Sequence, residues 1–207
     1  GGADVATAEQ APTSRTDEVT LLTVPLFHVT ASHAVYLTSY RAQATVVSMR
    51  KWDPDEAVAL VERERVTKVV APPAVTHDLA RAARASGRDL SSLRQVGGGG
   101  AARPSEQVRQ IADALPSTAP TTGWGMTETN SAGTSIGGPD YLQHPDSSGR
   151  CPPMVEIRVV GEDGAPLPVG RVGELQVRGT TMFSGYWNRP DADATSFDGD
   201  WFRTGDI

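Results

Sequence analysis

The 207-residue chain carries a formal net charge of −6 and is 38% hydrophobic, long enough to bury a sizeable core in one domain or two small ones. A negative balance disfavours nucleic acid or an anionic membrane surface as the main partner, and no apolar run approaches the ~20 residues of a membrane span. Among 19 basic residues only Lys51 and Lys68 are lysines. The single Cys151 allows no internal disulfide, which points to a reducing, cytoplasmic setting.

Residues 1–18 read as a polar lead-in, without the basic and apolar regions of a signal peptide. Residues 19–149 alternate short apolar runs with helical periods. "VTLLTVP" (19–25), "ATVVSM" (44–49), "TKVVAP" (67–72) and "LRQVGG" (93–98) predict buried strands. In "WDPDEAVALVERERV" Asp53 suits an N-cap, Pro54 the first turn and Glu56 a capping box, with Ala57, Val58 and Val61 inward. "RPSEQVRQIADALP" brings Val108, Ile111 and Leu115 onto one face and ends at Pro116. This alternation predicts an α/β fold, a mostly parallel sheet flanked by helices. Residues 129–149 read as a long polar loop. Residues 150–207 read as a small β-rich subdomain, with a hairpin signal at Asp163-Gly164.

Several stretches carry chemistry, each beside a plainer reading. "VGGGGAARP" (96–104) follows a strand and precedes a helix; bare backbone there lets a flat ligand approach. As a dinucleotide fingerprint it lacks the last glycine, replaced by Ala102, and a following acid. "GTSIG" (133–137) has the spacing of a nucleophile elbow at Ser135, but lies within the polar stretch rather than on a strand-to-helix turn. His28 follows a buried strand, and His33 is not on its helical face, so they do not form a metal pair. His77 and His144 read as solvated. In "GWGMTET" (123–129) the glycines allow a tight turn, Trp124 can stack, and Thr127 and Glu128 offer a donor and a hard oxygen ligand. The plainer reading is a helix start capped by Thr127. In "DWFRTGD" Asp206 can accept from a vicinal diol or satisfy its own turn.

"PLFHVT", "GGGGAARP", "GWGMTET", "GELQVRGTTMFSGYWNRPDADATSF" and "DWFRTGD" occur in this order across residues 19–207. Together they resemble the adenylate-forming superfamily, specifically the acyl-CoA synthetases or fatty-acid–CoA ligases. The resemblance implies that a carboxylic acid attacks the α-phosphate of ATP, giving acyl-AMP, and that coenzyme A thiolate then displaces AMP. It implies that Gly99, Gly100 and Ala101 lie on one face of the adenine and Trp124 on the other. Thr127 would bond phosphate or acyl oxygens, Glu128 would bind Mg²⁺, and Asp206 would take the ribose hydroxyls. His28 would gate the acyl pocket, and Gly123, Gly125 and Met126 would shape the wall between adenylate and acyl chain.

Residue 28 also discriminates within the superfamily. Amino-acid-activating relatives carry an aspartate there, so His28 favours a simple acid. Ala31, Ser32 and Ala102 depart from common family residues, which leaves chain length open; aliphatic acids are the default and aromatic ones an alternative. The family's phosphate loop, with its lysine, should precede "TLLTVPLFH", and a mobile domain with a second lysine should follow "TGDI". Lys51 and Lys68 match neither. The expectation is an internal fragment of the large domain that is nearly inactive alone, with carboxylic acid, ATP, coenzyme A and the remaining domains as partners. A carrier-protein acceptor, a non-catalytic nucleotide-binding module and a dinucleotide-dependent oxidoreductase are the alternatives.

Overall fold

The computed structural model describes residues 16–207. The polar lead-in read at residues 1–18 therefore falls, up to residue 15, outside the described residues. β1 (Val19–Leu22) leads, through a π-helical segment (Thr30–Leu37) continued by α1 (Thr38–Arg41), to β2 (Thr45–Ser48). Then come α2 (Pro54–Glu64), β3 (Lys68–Ala71), α3 (Pro73–Ser86), β4 (Gln95–Gly98), α4 (Ser105–Ala114) and β5 (Ala119–Trp124). β6 (Thr134–Gly137) and α5 (Gly138–Gln143) complete this part.

These strands form one six-stranded sheet in the order β2-β1-β3-β4-β5-β6. Every pairing is parallel except β5 with β6, which is antiparallel. The α/β expectation, a mostly parallel sheet flanked by helices, is met. The core lies between the sheet and α2, α3 and α4, where Val58, Val61, Val69, Leu79, Val96 and Ile111 are all buried. α2 starts where the sequence indicates: Asp53 accepts from the backbone N–H groups of Asp55 and Glu56, and Pro54 occupies the first turn.

Two local expectations are corrected, and one helix is added. Residues 129–149 are not a continuous loop. Thr134–Gly137 pairs with Thr121–Trp124 across the sheet edge, and buried Tyr141 anchors α5 behind it. A strand this short and polar offers no apolar run to read. β2 is a half-exposed edge strand rather than a buried one. The segment after His28 is helical: Thr30–Leu37 packs Ala31 and Val35 against Leu22, a helix that the polar "HVTASH" pattern does not advertise.

A second, antiparallel sheet follows, built from β7 (Val155–Val160), β8 (Glu174–Gly179), β9 (Phe197–Asp198) and β10 (Trp201–Arg203) in the order β7-β8-β10-β9. The Asp163-Gly164 turn falls between β7 and β8, with Gly164 at φ +76. A short helix, α6 (Pro190–Ser196), leads into β9. Phe183, Tyr186, Phe197 and Phe202 pack edge to face or stacked beneath this sheet. Trp124 and Met126 reach across to the same cluster. The "GWGMTET" turn thereby lies where the two sheets meet.

Candidate nucleotide and acid site

In open parallel sheets, ligand crevices form at the carboxyl ends of the strands. Here β4 ends at Gly98 and runs into Gly99 and Gly100, and its neighbour β5 ends at Gly123 and Trp124, followed by Gly125. Two cavities flank this pair of strand ends. One, of about 410 Å³, is lined by Gly100, Ala101, Ala102, Arg103, Trp124, Asp206 and the loop Pro145–Ser148. The other, of about 240 Å³, is lined by Val29, Thr30, Ala34, Lys68, Val70, Gln95 and Gly98–Gly100. Both share Thr122, Gly123, Trp124 and Gly125 as a common wall.

The wall has reasons to be glycine. A Cβ on Gly123 would stand 2.7 Å from the Thr134 carbonyl oxygen, and one on Gly125 would collide with the Ser131 carbonyl. The chain turns back tightly after it, with Asn130 and Ser131 both at positive φ. Thr127–Thr129 forms a single 3₁₀ turn, and Thr129, not Thr127, holds it. Thr129 Oγ1 accepts from Met126 N–H at 3.1 Å and donates to the Met126 carbonyl at 3.1 Å. The capping role read for Thr127 therefore belongs to buried Thr129, and Thr127 is left exposed.

Glu128 follows directly. Its carbonyl accepts from Phe183 N–H at 2.8 Å, and its carboxylate Oε1 accepts from the Tyr186 hydroxyl at 2.8 Å. Burial, then the neighbouring Glu128 carboxylate, pushes the Tyr186 hydroxyl up to about 12, so it remains a donor at physiological pH. Asp193 fixes this tyrosine by accepting from its backbone N–H. Tyr186 lies inside the "SGYWNRP" stretch, but nothing in the sequence alone assigns it to Glu128, 58 residues away.

Asp206 is exposed, and its Oδ2 accepts from the Trp124 indole N–H at 2.6 Å. Its backbone is held by Thr204 Oγ1 and by Leu175 N–H. The carboxylate is thus aimed at the larger cavity with one oxygen engaged.

Of the residues singled out in the sequence, Gly99, Gly100, Ala101, Gly123, Trp124, Gly125 and Asp206 line one or both cavities. Met126 is packed under the second sheet, and Thr127 and Glu128 stand at the next turn. His28 is exposed, stacked in a tilted arrangement on Phe27, and adjoins the cavity-lining Val29 and Thr30. Arg103, Tyr141 and Pro145–Ser148 line the larger cavity without having been singled out. Arg103 packs against Gly98 and donates to Thr76 Oγ1 at 3.1 Å, and burial lowers its pKa. Ser135 sits within β6, bonded through its backbone to Arg150, and not on a strand-to-helix turn as a nucleophile elbow needs.

No group of three or more His, Cys, Asp or Glu residues gathers among the described residues. A lone carboxylate such as Glu128 suits Mg²⁺ held mainly by water and phosphate oxygens.

The chain matches the family model described as AMP-binding enzyme over residues 3–187. It is similar to an indoleacetate–CoA ligase of Aromatoleum aromaticum, 34% identical over 92% of this chain and 37% of that protein. It is also similar to a long-chain-fatty-acid–CoA ligase, FadD13, of Mycobacterium tuberculosis, 32% identical over 90% of this chain and 36% of that protein. Among solved structures, the N-terminal domain of FACL13 from Mycobacterium tuberculosis superimposes with a TM-score of 0.83 at 31% identity, covering 94% of this chain and 49% of that one. The chain spans little more than a third of the length of these curated relatives. A family match that takes in both strand ends and the turn between the two sheets leads to one assignment: this chain belongs to the AMP-binding enzyme family.

Proposed function

We propose that the chain forms the nucleotide- and acid-binding part of an enzyme that activates a carboxylic acid with ATP and passes it to the thiol of coenzyme A. The observation that carries this reading is the pair of cavities sharing the Gly123–Gly125 wall. An acyl adenylate needs two adjoining compartments, one for the nucleotide and one for the acyl group, with the mixed anhydride at the junction.

In this reading Gly100 and Ala101 of the glycine run face one side of the adenine and Trp124 the other, while Gly99, which the resemblance also set against the adenine, lines the smaller cavity and faces the acid. Asp206 offers its unengaged oxygen to the ribose hydroxyls. Thr127 donates to phosphate or acyl oxygens. Glu128, oriented by Tyr186, is the residue that would hold Mg²⁺, whose positive charge would offset charge building on the leaving pyrophosphate. His28 stands outside the acid cavity and gates it from there. Relatives whose names specify indoleacetate, 4-coumarate and long-chain fatty acids show that the acid differs between members. The acid is therefore set by cavity lining rather than by the shared wall. The chain by itself is expected to bind adenylate and acid and to turn over slowly, because neither Lys51 nor Lys68 lies at the wall. Other domains would supply the remaining charge, and a reducing cytoplasm is the setting in which such a thiol acceptor works.

The test is calorimetric titration of the chain with a non-hydrolysable acyl-AMP analogue, comparing wild type with Asp206→Ala and Trp124→Ala. Saturable binding weakened by both substitutions supports the reading. Binding that both variants retain in full would remove Asp206 and Trp124 from the site.

A further inference from the structure

Lys68 and Gln95 open the adjacent parallel strands β3 and β4 and are direct partners in register. Both line the smaller cavity, so both side chains stand on the same face of the sheet. The cavity runs along the strands from this pair to the glycine wall. Three residues of strand, at ~3.3 Å each, place its two ends roughly 10 Å apart. Val70 and Thr121 narrow it midway, leaning towards each other over Gly97.

The end remote from the wall is polar. The Lys68 side chain is only 19% exposed, and among the described residues its ammonium has one charged partner, Glu18, at 3.6 Å. That distance makes an ion pair but not a hydrogen bond. An ammonium brings three donors, and a ligand that covers it must supply acceptors for them. Gln95 uses one amide hydrogen on Thr121 Oγ1 at 3.2 Å, which leaves its carbonyl oxygen to accept.

These groups discriminate among acids. A plain hydrocarbon tail reaching this end would cover the Lys68 donors without replacing water. A second carboxylate would meet the negative charge of Glu18, which already balances Lys68. A hydroxyl does neither: it accepts from Lys68 and donates to Gln95. The volume of about 240 Å³ is below the ~300–1,000 Å³ of pockets that enclose drug-sized ligands, so the acid is compact. Resting on the reading of this cavity as the acid site, we infer that the enzyme selects compact carboxylic acids with a hydroxyl at the end remote from the reacting carboxylate. Lys68 and Gln95 form the specificity-determining pair.

Calorimetric titration of the AMP-saturated 207-residue chain tests this with three acids matched to the cavity length: 8-hydroxyoctanoate, nonanoate and nonanedioate. Wild type is expected to bind the hydroxy acid about tenfold more tightly than nonanoate, the scale of one charge-assisted hydrogen bond, with nonanedioate weakest. Lys68→Met is expected to bring the hydroxy-acid to nonanoate ratio close to one while AMP affinity stays at the wild-type value, which shows that the variant is folded. Gln95→Leu is expected to reduce the ratio in part. Equal binding of the hydroxy acid and nonanoate, or a preference that survives Lys68→Met, overturns the inference and leaves the acid site standing. AMP binding with no acid binding overturns both.

Discussion

The indole N–H of Trp124 and the carboxylate of Asp206 meet at 2.6 Å although 82 residues separate them in the chain. The contact joins the end of β5 to the segment that follows β10 of the second sheet, beside the larger cavity. It holds the carboxylate and the indole edge together where both line that cavity. A double-mutant cycle with Trp124→Phe and Asp206→Asn should show a coupling of about 1 kcal/mol in urea unfolding, modest because the pair is exposed. Additive effects would mean that the bond is not populated in solution. Asp206→Asn should also weaken AMP binding about tenfold, the loss of a charged acceptor.

Tyr186 and Glu128 form the second such link. Tyr186→Phe keeps the aromatic packing on Phe183 but removes the hydroxyl that, among the described residues, bonds the Glu128 carboxylate. A loss of about 1 kcal/mol is expected, which for a chain of this length lowers Tm by roughly 2–4 °C. If Glu128 acts through Mg²⁺, the same variant should bind ATP several-fold less tightly with Mg²⁺ and bind AMP without Mg²⁺ as wild type does. Equal weakening of both would place Tyr186 in the fold rather than beside the metal.

What the sequence made legible, and what it hid, divides along a physical line. Runs such as "TKVVAP" and the capped start at Asp53 are local signals, and β3 and α2 form where those signals lie. The glycine runs were legible because close backbone approach leaves no substitute for glycine, as Gly123 and Gly125 show. β6 stayed hidden because an edge strand of "TSIG" is specified by pairing with β5, a tertiary relationship. Tyr186, Arg103 and the depth of the Lys68–Gln95 cavity were hidden for the same reason. Each matters through a partner far along the chain, and a motif records neighbours in sequence only.

Two glycine substitutions should behave in opposite ways. Gly125→Ala drives a methyl group into the Ser131 carbonyl, in a turn already holding two left-handed residues. It is expected to cost about 1–3 kcal/mol of stability and to weaken both AMP and acid binding. Gly99→Ala meets nothing nearer than the Gly123 carbonyl at 3.9 Å. It should unfold within about 0.5 kcal/mol of wild type yet bind acid less tightly, because the added methyl group occupies cavity space. If Gly99→Ala leaves acid affinity unchanged, the acid does not lie against the glycine run.

The last prediction concerns acid stability and rests on the corner between α3 and β4. Two hydrogen bonds from Ser91, followed by Arg65, hold the Asp89 carboxyl down at about 2, against an ordinary 3.8. The backbone N–H of Asp89, followed by Arg88, likewise lowers Glu62. A carboxylate whose folded pKa is depressed contributes stability that is fully present above its unfolded value and is lost as pH falls through the folded value. For Asp89 that window runs from about pH 4 down to about pH 2. Asp89→Asn should therefore lower the urea midpoint at pH 6 and make it fall less steeply below pH 4 than in wild type. Because the pair is exposed, 0.5 M salt should weaken the Arg65 part of the effect and leave the Ser91 part in place. A variant whose midpoint parallels wild type from pH 6 to pH 2 would show that Asp89 is as free in the folded chain as in the unfolded one.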